Sequence, residues 1–235
     1  MTNTHRAIHA LMAAAGKGSR FGADKPKQYL TLSDKTVLEE SMARLNIDGI
    51  DDLTLVVAQD DMYFGDLTLI YAKPIYQAWG GAERWQSVMN GVKKIRERGA
   101  GDDDWVLIHD AARPCLPESD LMKLLRALDS TPRQGVILAT PVVDTLKQVD
   151  DDNIIKTVDR NGLWQAQTPQ AFHLKTLENV LSKVLECGLN ITDEASGFEM
   201  LGHGVQIVHG SRLNMKLTHA EDLPLLRLIA TSLLD

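Results

Sequence analysis

A glycine-rich segment near the N-terminus is the most informative part of the sequence: Ala13-Ala14-Ala15-Gly16-Lys17-Gly18-Ser19-Arg20-Phe21-Gly22, followed closely by Lys25-Pro26-Lys27-Gln28. It comes directly after the apolar run 7–12, which is typical of a buried parallel strand. Small residues let main-chain N–H groups approach an anion without obstruction by side chains. Arg20 and the two lysines of the second segment add up to three positive charges beside them. The stretch therefore predicts a phosphate-binding loop at the end of a buried strand.

Two standard glycine loops do not fit this spacing. The Walker A pattern places Lys six residues after its first glycine and Gly five after it, but the fifth residue after Gly16 is Phe21, and after Gly18 it is Ala23. The dinucleotide pattern G-x-G-x-x-G requires a glycine at position 21, whereas the third glycine is Gly22. The loop is therefore of another kind, and it carries more positive charge than a dinucleotide loop requires.

Length and charge limit the class of protein. The chain has 235 residues, of which 44% are hydrophobic and 24% charged, which is typical of one globular α/β domain spanning 1–235. The formal net charge of −7 argues against a nucleic-acid-binding protein, which usually carries a basic patch. The local positive charge beside the glycine loop therefore indicates a small anionic ligand.

Several features favour a cytoplasmic location without a membrane anchor. No apolar run reaches the roughly 20 residues that span a bilayer, and residues 1–6 lack the layout of a secretory signal. Cys115 and Cys187 are the only cysteines and have no paired spacing, as expected for two reduced thiols.

The order of apolar runs and amphipathic segments predicts a Rossmann-like, mostly parallel sheet with helices on both faces. The predicted strands are 7–12, 53–58, 68–72, 105–108, 135–139 and 205–208. The predicted helices are 37–45, 85–95, 121–128, 174–185, 193–201 and 223–234. For the helix at 193–201 we expect Thr192 as the N-cap and no capping box.

A β-hairpin interrupts this alternation at about 141–164. Runs 145–149 and 154–158 read as short strands around the polar turn Asp150-Asp151-Asp152-Asn153. Two strands rarely hold together in water without a partner surface. We therefore expect a protruding β-arm that packs on a second subunit.

Asp110 is the first candidate for catalysis, because it follows the apolar run 105–108 at the edge where open α/β sheets bind ligands. An Asp there could hold Mg²⁺ together with ligand phosphates, and Arg113 could grip a phosphate in a bidentate manner. The alternative is an Asp that caps a turn or a helix.

Three further cations are candidates. Arg20 and Lys27 could be ordinary surface charges, but beside a phosphate loop they would stabilise charge that develops at phosphorus. Lys216 lies between Met215 and Leu217 in an apolar run, where a charged side chain needs a partner. The seven histidines show no zinc-ligand spacing, and no G-x-S-x-G motif indicates a hydrolase.

Short motifs across nearly the whole chain match one enzyme family in order. The matching segments are Ala14-Ala15-Gly16-x-Gly18-x-Arg20, Pro26-Lys27-Gln28-Tyr29-Leu30, Gly80-Gly81-x-Glu83-Arg84-x-x-Ser87-Val88, His109-Asp110-Ala111-Ala112-Arg113-Pro114, Pro141-Val142-x-Asp144-Thr145-x-Lys147, Asp159-Arg160-x-x-Leu163-Trp164, Gln167-Thr168-Pro169-Gln170, Thr192-Asp193-Glu194-Ala195 and Asn214-x-Lys216-x-Thr218. In these motifs the sequence resembles the 2-C-methyl-D-erythritol 4-phosphate cytidylyltransferases of isoprenoid biosynthesis.

The resemblance implies a reaction and an assembly. CTP and 2-C-methyl-D-erythritol 4-phosphate would give 4-diphosphocytidyl-2-C-methyl-D-erythritol and pyrophosphate, with Mg²⁺ bound alongside CTP. The β-arm would exchange across a homodimer, in agreement with the isolated hairpin.

The resemblance also implies roles for individual residues. The residues expected to be catalytic are Arg20, Lys27, Arg160 and Lys216. Arg20 and Lys27 would stabilise the transition state, and Arg160 would orient the sugar phosphate with Lys216 nearby. The residues expected to hold the nucleotide are Ala14, Ala15, Gly16, Gly18, Gly81, Ser87, Asp110 and Ala111, with Asp110 also binding the metal. Those expected to bind the sugar phosphate are Arg113, Thr145, Arg160, Thr168, Thr192 and Lys216, with Thr145 and Arg160 coming from the partner's arm.

The chain departs from the family pattern at several positions without losing a proposed catalytic group. Ala13 stands where Pro is common, Ala82 where an acidic residue is frequent, and Val143 where a basic one is. Leu213 replaces a frequent acidic residue, and His219-Ala220 stand where a proline is usual at the second position.

Three other functions remain open at this stage. A ribitol 5-phosphate cytidylyltransferase would share the loop, Asp110 and the fold, and would differ only in its acceptor contacts. A dinucleotide-dependent oxidoreductase is disfavoured by the glycine spacing. A non-catalytic nucleotide sensor would bind CTP without releasing pyrophosphate.

Overall fold

A computed structural model of the chain describes residues 6–16 and 25–233. Within these ranges the strands are β1 (Ile8–Ala13), β2 (Asp52–Val57), β3 (Ile75–Trp79), β4 (Trp105–Asp110), β5 (Gly135–Pro141), β6 (Leu146–Asp150), β7 (Asn153–Val158), β8 (Trp164–His173) and β9 (Val205–His209). Seven of them form one sheet in the order β3-β2-β1-β4-β8-β5-β9, parallel except for β8. The predicted mostly parallel α/β sheet is thereby confirmed.

The helices cover both faces of this sheet, as predicted. They are α1 (Val37–Arg44), α2 (Arg84–Glu97), α3 (Glu118–Ser130), α4 (Leu174–Glu186), α5 (Glu194–Met200) and α6 (Asp222–Ser232). One core cluster joins α1 and α3 to the sheet through side chains such as Met12 and Leu107, and a second joins α2, α4 and α5 through Leu11 and Ile108. The central strands are therefore buried on both faces, which explains their continuous apolar runs.

Strand β8 escaped prediction. Its polar residues Gln167, Thr168 and Gln170 are buried and hydrogen bonded inside the sheet. Because these side chains interrupt the apolar pattern, the segment resembles a loop in sequence. Its antiparallel placement between β4 and β5 puts polar groups beside Asp110.

Two local predictions were wrong. Segment 68–72 is not a strand, because Leu69 and Tyr71 pack on the core without joining the sheet and β3 begins only at Ile75. The N-cap of α5 is Asp193 rather than Thr192, and a capping box is present because the third helical residue is Ser196.

The β-arm is present as predicted. Strands β6 and β7 form a separate two-stranded sheet, and Asp151 adopts a positive φ of 46° in the turn between them. Val149, Ile154 and Ile155 are exposed on this arm. In a single chain the arm therefore leaves apolar side chains uncovered.

A topological switch point lies between the neighbouring strands β1 and β4. Strands β2 and β3 lie on one side of β1, and β4 lies on the other. Ala13 at the end of β1 is paired with Asp110 at the end of β4. This is the topological switch point at which open α/β sheets bind ligands.

At the opposite, amino end of the strands, a charged cluster holds three strands together. His9 contacts Asp52 through Nδ1 at 2.9 Å and Asp104 through Nε2 at 3.4 Å, and Arg98 donates to both oxygens of Asp52. Burial lowers the pKa of His9, but the two carboxylates outweigh burial, so the pKa is raised above 6.5.

This cluster predicts a pH-dependent part of the stability. Protonated His9 stabilises the fold fully below its unfolded pKa, and the contribution is lost as pH rises through the higher folded pKa. We expect His9→Gln to reduce the free energy of unfolding by about 1 kcal/mol at pH 5.5 and by less at pH 8.5 in urea titrations. Replacing the exposed His219 by Gln is the control; a pH-independent loss in His9→Gln would contradict the assignment.

No helix within the described ranges is long and apolar enough to cross a membrane.

Candidate active site

A cavity of about 750 Å³ opens at the carboxyl ends of β1, β2, β3 and β4. It is lined by Ala13, Ala14, Ala15, Gly16, Lys27, Gln28, Ala58, Gln59, Asp60, Gly80, Gly81, Ala82, Glu83, Arg84, Ser87, Asp110, Ala111, Ala112, Lys216 and Thr218. The predicted nucleotide-binding residues in the described ranges all line it. Gly18 and Arg20 lie outside those ranges.

Gln28 fixes the described part of the glycine-rich loop. Its buried amide donates to the carbonyl oxygens of Ala14 at 2.9 Å and Gly16 at 3.0 Å. The main-chain N–H of Ala14 donates to Val56 on β2. Because the Gln28 amide binds the carbonyl oxygens of Ala14 and Gly16, it fixes the backbone conformation of the loop beside the cavity.

A second glycine segment forms the opposite wall. Ser87 accepts a hydrogen bond from the N–H of Gly81 at 3.0 Å and donates to the carbonyl of Glu83. Gly80 donates its N–H to Val57 and lies against Ala15. Ser87 therefore acts in this structure by shaping the Gly80–Gly81 turn.

This close approach leads to a prediction. A Cβ at position 80 would lie 2.3 Å from the Cβ of Ala15, so Gly80→Ala must push the two cavity walls apart. Overpacking of this kind costs about 1–3 kcal/mol, and we expect CTP affinity to fall roughly tenfold or more in calorimetry. Gly65→Ala is the matched control, since no atom lies within 4 Å of its added Cβ. Equal CTP affinity in the two variants would contradict this packing argument.

Asp110 lies at the centre of a cluster of cations. Its Oδ1 accepts a hydrogen bond from Arg84 Nε at 3.1 Å and lies 3.0 Å from Arg84 Nη2, and its Oδ2 accepts from Lys216 Nζ at 2.8 Å. Arg113 Nε lies 3.8 Å from Oδ2. Burial raises the pKa of Asp110, but the cations, led by Arg84, outweigh burial and hold it far below its ordinary value. Asp110 is thus the charged partner that was expected for Lys216, a lysine flanked by apolar residues in the sequence.

Arg84 belongs to one of the family motifs, but the sequence indicated no function for it. Besides Asp110, it binds Glu194 at the start of α5, donating from Nη1 to both carboxylate oxygens at 2.8 Å. Burial lowers the pKa of Arg84, but Glu194 and Asp110 raise it by more, so Arg84 stays charged. The sequence did contain an indication of this pairing. Arg84 lies at the start of a predicted helix, where a positive charge is unfavourable next to the helix dipole unless a carboxylate lies nearby.

A smaller cavity of about 250 Å³ adjoins the first. It is lined by Arg84, Asp110, Arg113, Ala166, Gln167, Thr168, Gln170, Thr192, Asp193 and Lys216. Arg113 Nε and Gln167 Oε1 are buried and have no hydrogen-bond partner among the described residues. The cavity suits a polar ligand because all of its lining side chains except Ala166 are charged, amide or hydroxyl groups.

Thr168 joins β8 to the end of β4. Its hydroxyl accepts from the N–H of Asp110 at 3.1 Å and lies 3.0 Å from His109 Nδ1. Burial lowers the pKa of His109 to about 4, so the ring is neutral. Because Nε2 faces the carbonyl of Arg113 and must donate, Nδ1 accepts from Thr168. Thr168 therefore holds both Asp110 and the Arg113 turn.

The remaining predicted residues divide into two groups. Lys27 lines the larger cavity and donates from Nζ to the carbonyl of Leu217 at 2.6 Å, whereas Thr192 lines the smaller one. Thr145 and Arg160 are exposed on the arm or at its base and line neither of these cavities. Within one chain the structure does not bring them to Asp110.

The described residues contain no group of three or more His, Cys, Asp or Glu side chains arranged to hold a metal. Asp110 nevertheless offers a carboxylate at the cavity wall, and Mg²⁺ commonly takes one or two carboxylates together with substrate phosphates. The donor set therefore fits a Mg²⁺ ion that arrives with a triphosphate.

The family model described as 2-C-methyl-D-erythritol 4-phosphate cytidylyltransferase matches residues 8–232. The chain belongs to this family. Its members are nucleotidyltransferase enzymes, as the resemblance of the sequence motifs implied. The matched range includes both cavities and the arm.

Individual relatives agree with this assignment. A 2-C-methyl-D-erythritol 4-phosphate cytidylyltransferase from Alteromonas mediterranea is 49% identical over 221 residues, covering 93% of this chain and 90% of that protein. The protein of the same name from Haemophilus influenzae is 47% identical, covering 94% and 95%.

Solved structures of the family share the fold. A crystal structure of a 4-diphosphocytidyl-2C-methyl-D-erythritol synthase superposes with a TM-score of 0.83 at 38% identity, covering 98% of this chain and 99% of the other. The Francisella tularensis 2-C-methyl-D-erythritol 4-phosphate cytidylyltransferase gives a TM-score of 0.81 at 32% identity, covering 95% and 99%.

Proposed function

We propose that this protein transfers the cytidylyl group of CTP to 2-C-methyl-D-erythritol 4-phosphate, giving 4-diphosphocytidyl-2-C-methyl-D-erythritol and pyrophosphate. The observation that carries the proposal is the cation-rich wall shared by two adjoining cavities. Arg84, Asp110 and Lys216 line both. Two phosphorylated substrates that react with each other need such a junction. The names of the relatives favour this acceptor over ribitol 5-phosphate.

The larger cavity would hold CTP, with the triphosphate against the glycine-rich loop. Half of its lining residues are alanines or glycines, among them Ala15 and Gly81. These allow close approach of the phosphates, and Lys27 places a charge in the same cavity. The acceptor phosphate would occupy the smaller cavity, where Arg113, Thr168 and Thr192 offer polar groups.

In the reaction, an oxygen of the acceptor phosphate attacks the α-phosphorus of CTP. The new P–O bond forms as the bond between the α-phosphorus and the oxygen leading to the β-phosphorus breaks, and its electron pair leaves on pyrophosphate. Negative charge accumulates around the α-phosphorus during this step. Fixed cations there lower the barrier because they need no reorganisation. We assign this role to Lys27 and, from its motif, to Arg20.

Asp110 would be the protein ligand of Mg²⁺ bound with CTP. The ion would supply charge neutralisation of the phosphates. Asp110 itself orders Arg84 and Lys216 at the junction, as its hydrogen bonds to both indicate.

We further propose that the protein is a homodimer in which each arm completes the partner's site. The exposed apolar side chains Val149, Ile154 and Ile155 support this, because a two-stranded sheet needs a covering surface. Arg160 and Thr145 would then reach the acceptor from the partner. A cytoplasmic location is also proposed, and the two free cysteines are consistent with it.

Subunit mixing tests the shared site. We expect Arg160→Ala and Lys27→Ala to be nearly inactive separately, yet to recover activity when subunits are exchanged at equal concentrations. Random mixing makes about half of the dimers mixed, each with one intact site of two, so about a quarter of the sites should work.

Two variants of the same cavity provide the control. Mixing Lys27→Ala with Asp110→Asn places both defects in cores, so each site keeps one defect and no activity should return. Absence of recovery in the Arg160 and Lys27 mixture, with mixed dimers demonstrated by mass spectrometry, would contradict the shared site.

Pyrophosphate release tests the reaction itself. The purified protein is incubated with CTP and Mg²⁺, and with methylerythritol phosphate or ribitol 5-phosphate as acceptor. We expect release that depends on methylerythritol phosphate. Release with ribitol phosphate alone would support the other cytidylyltransferase, whereas CTP binding without any release would support a nucleotide sensor.

A further inference from the structure

Arg84 lines both cavities, yet no step of the proposed cytidylyl transfer uses it. Its side chain is 29% exposed, whereas that of its partner Glu194 is 0% exposed. One end of the guanidinium is therefore anchored in the protein interior. The other end faces the junction where the two substrates would meet.

The Nε–Nη2 edge of the Arg84 guanidinium faces this junction. It does not form the two parallel hydrogen bonds that such an edge can make. Nε and Nη2 both converge on a single oxygen of Asp110, at 3.1 and 3.0 Å. A phosphate presents two oxygens to the same edge and so gives two parallel bonds. Asp110 also contacts Lys216 at 2.8 Å, so it would keep a cationic partner if Arg84 turned to another acceptor.

The charge of the junction favours such an exchange. Three cations, Arg84, Arg113 and Lys216, lie around the single carboxylate of Asp110. Glu194 is fully committed to Arg84, since both its oxygens accept from Nη1. Positive charge is therefore in excess around Asp110, as required for a dianionic or monoanionic phosphate group.

We propose that Arg84 is a further catalytic residue that binds the transferred α-phosphate through its Nε–Nη2 edge, and that the buried Glu194 positions it. The proposal rests on the proposed function for the identity of the nucleotide. Asp110 holds the guanidinium in place before the nucleotide enters. The α-phosphate then replaces Asp110 as the acceptor of the Nε–Nη2 edge. Glu194 keeps the Arg84 side chain in the cavity wall during this exchange.

The test compares two Arg–Glu pairs whose arginines both lie on α2, while their carboxylate partners lie on α5 and α4. Arg84→Met alone would leave Glu194 buried without a partner, so the main variant is the double substitution Arg84→Met with Glu194→Gln. The control is Arg96→Met with Glu178→Gln, which removes a similar Arg–Glu pair at 2.8–2.9 Å between α2 and α4, away from both cavities. The second variant is Arg84→Lys, which keeps the positive charge but loses the paired N–H donors of the guanidinium edge.

The measurement is the affinity for cytidine monophosphate relative to cytidine, by calorimetry, together with kcat. The ratio isolates contacts to the α-phosphate, so a purely structural change would not alter it. We expect the ratio to fall roughly tenfold in the Arg84/Glu194 variant, and kcat to fall on the order of 100-fold. Arg84→Lys should recover part of both, and the Arg96/Glu178 control should match the wild type.

The outcomes separate this inference from the proposed function. A wild type that releases no pyrophosphate with methylerythritol phosphate would defeat the proposed function, while the affinity ratio would still report on Arg84. An active wild type with an unchanged ratio in the Arg84/Glu194 variant would overturn the inference alone. A wild type that binds the monophosphate no more tightly than cytidine would overturn it as well.

Discussion

Asp110→Asn is expected to abolish measurable turnover and to lower the stability of the protein. The substitution keeps the shape but removes the charge that holds Arg84 and Lys216. We expect a loss of roughly 3 kcal/mol, the lower end for breaking a buried ion cluster, because Arg84 and Lys216 are left to repel one another but are 29% and 36% exposed to water. Misplaced cations at the junction would lower kcat by a factor on the order of 10² or more.

The control for this prediction is Asp52→Asn. Asp52 also accepts from an arginine, Arg98, and is largely buried, but it lies at the amino end of the sheet. We expect it to lower the melting temperature without changing kcat. If Asp110→Asn lost stability yet kept turnover within a few-fold of Asp52→Asn, a merely structural function of Asp110 would be indicated.

Lys27→Ala is expected to produce the second large effect, and mainly in kcat. Its Nζ is directed by the carbonyl of Leu217 and lies in the wall of the larger cavity. A fixed cation that meets the developing charge contributes more to the transition state than to bound CTP. We expect kcat to fall by a factor on the order of 10²–10³, with CTP affinity weakened by less than about tenfold.

Exposed Lys35 provides the matched control on the same segment. Lys35→Ala should be indistinguishable from the wild type in both kcat and CTP affinity. A Lys27→Ala enzyme that loses CTP affinity but keeps its kcat at saturation would assign Lys27 to ground-state binding. Arg20, which lies outside the described residues, is expected to behave like Lys27 in the same assay.

The order of strands and helices was predictable because the central strands are buried on both faces. Their apolar runs, such as those containing Leu11 and Leu107, differ clearly from the helical periodicity of α2. The arm was predictable for the opposite reason, since its polar turn and isolated strands break the alternation. Both features are patterns of adjacent residues, so they can be recognised in the sequence without knowledge of the fold.

The interior of the site was less accessible to prediction. Strand β8 is buried through polar residues that are hydrogen bonded to distant groups, so its sequence lacks an apolar pattern. The pairing of Arg84 with Glu194 joins positions 110 residues apart, and no local pattern encodes it. Asp110 and Lys216 were identified separately, as a carboxylate after a strand and a cation among apolar neighbours. Their contact at 2.8 Å became visible only in the fold.

The Thr145 and Arg160 assignments depend on a second chain. Sequence motifs predicted them as ligands of the sugar phosphate, and within one chain they line neither of the cavities at Asp110. They remain predictions, as do the Mg²⁺ ligand and the single-domain boundary at 1–235. The subunit-mixing experiment addresses the first of these directly.

The most direct measurement of the central claim follows oxygen through the reaction. The protein is incubated with CTP, Mg²⁺ and methylerythritol phosphate whose phosphate oxygens carry ¹⁸O, and the products are analysed by ³¹P NMR. Attack by the acceptor phosphate on the α-phosphorus predicts that all label stays in the diphosphate-linked product, including its bridging oxygen, and that pyrophosphate is unlabelled. Label in pyrophosphate, or release of inorganic phosphate in its place, would contradict cytidylyl transfer at this site.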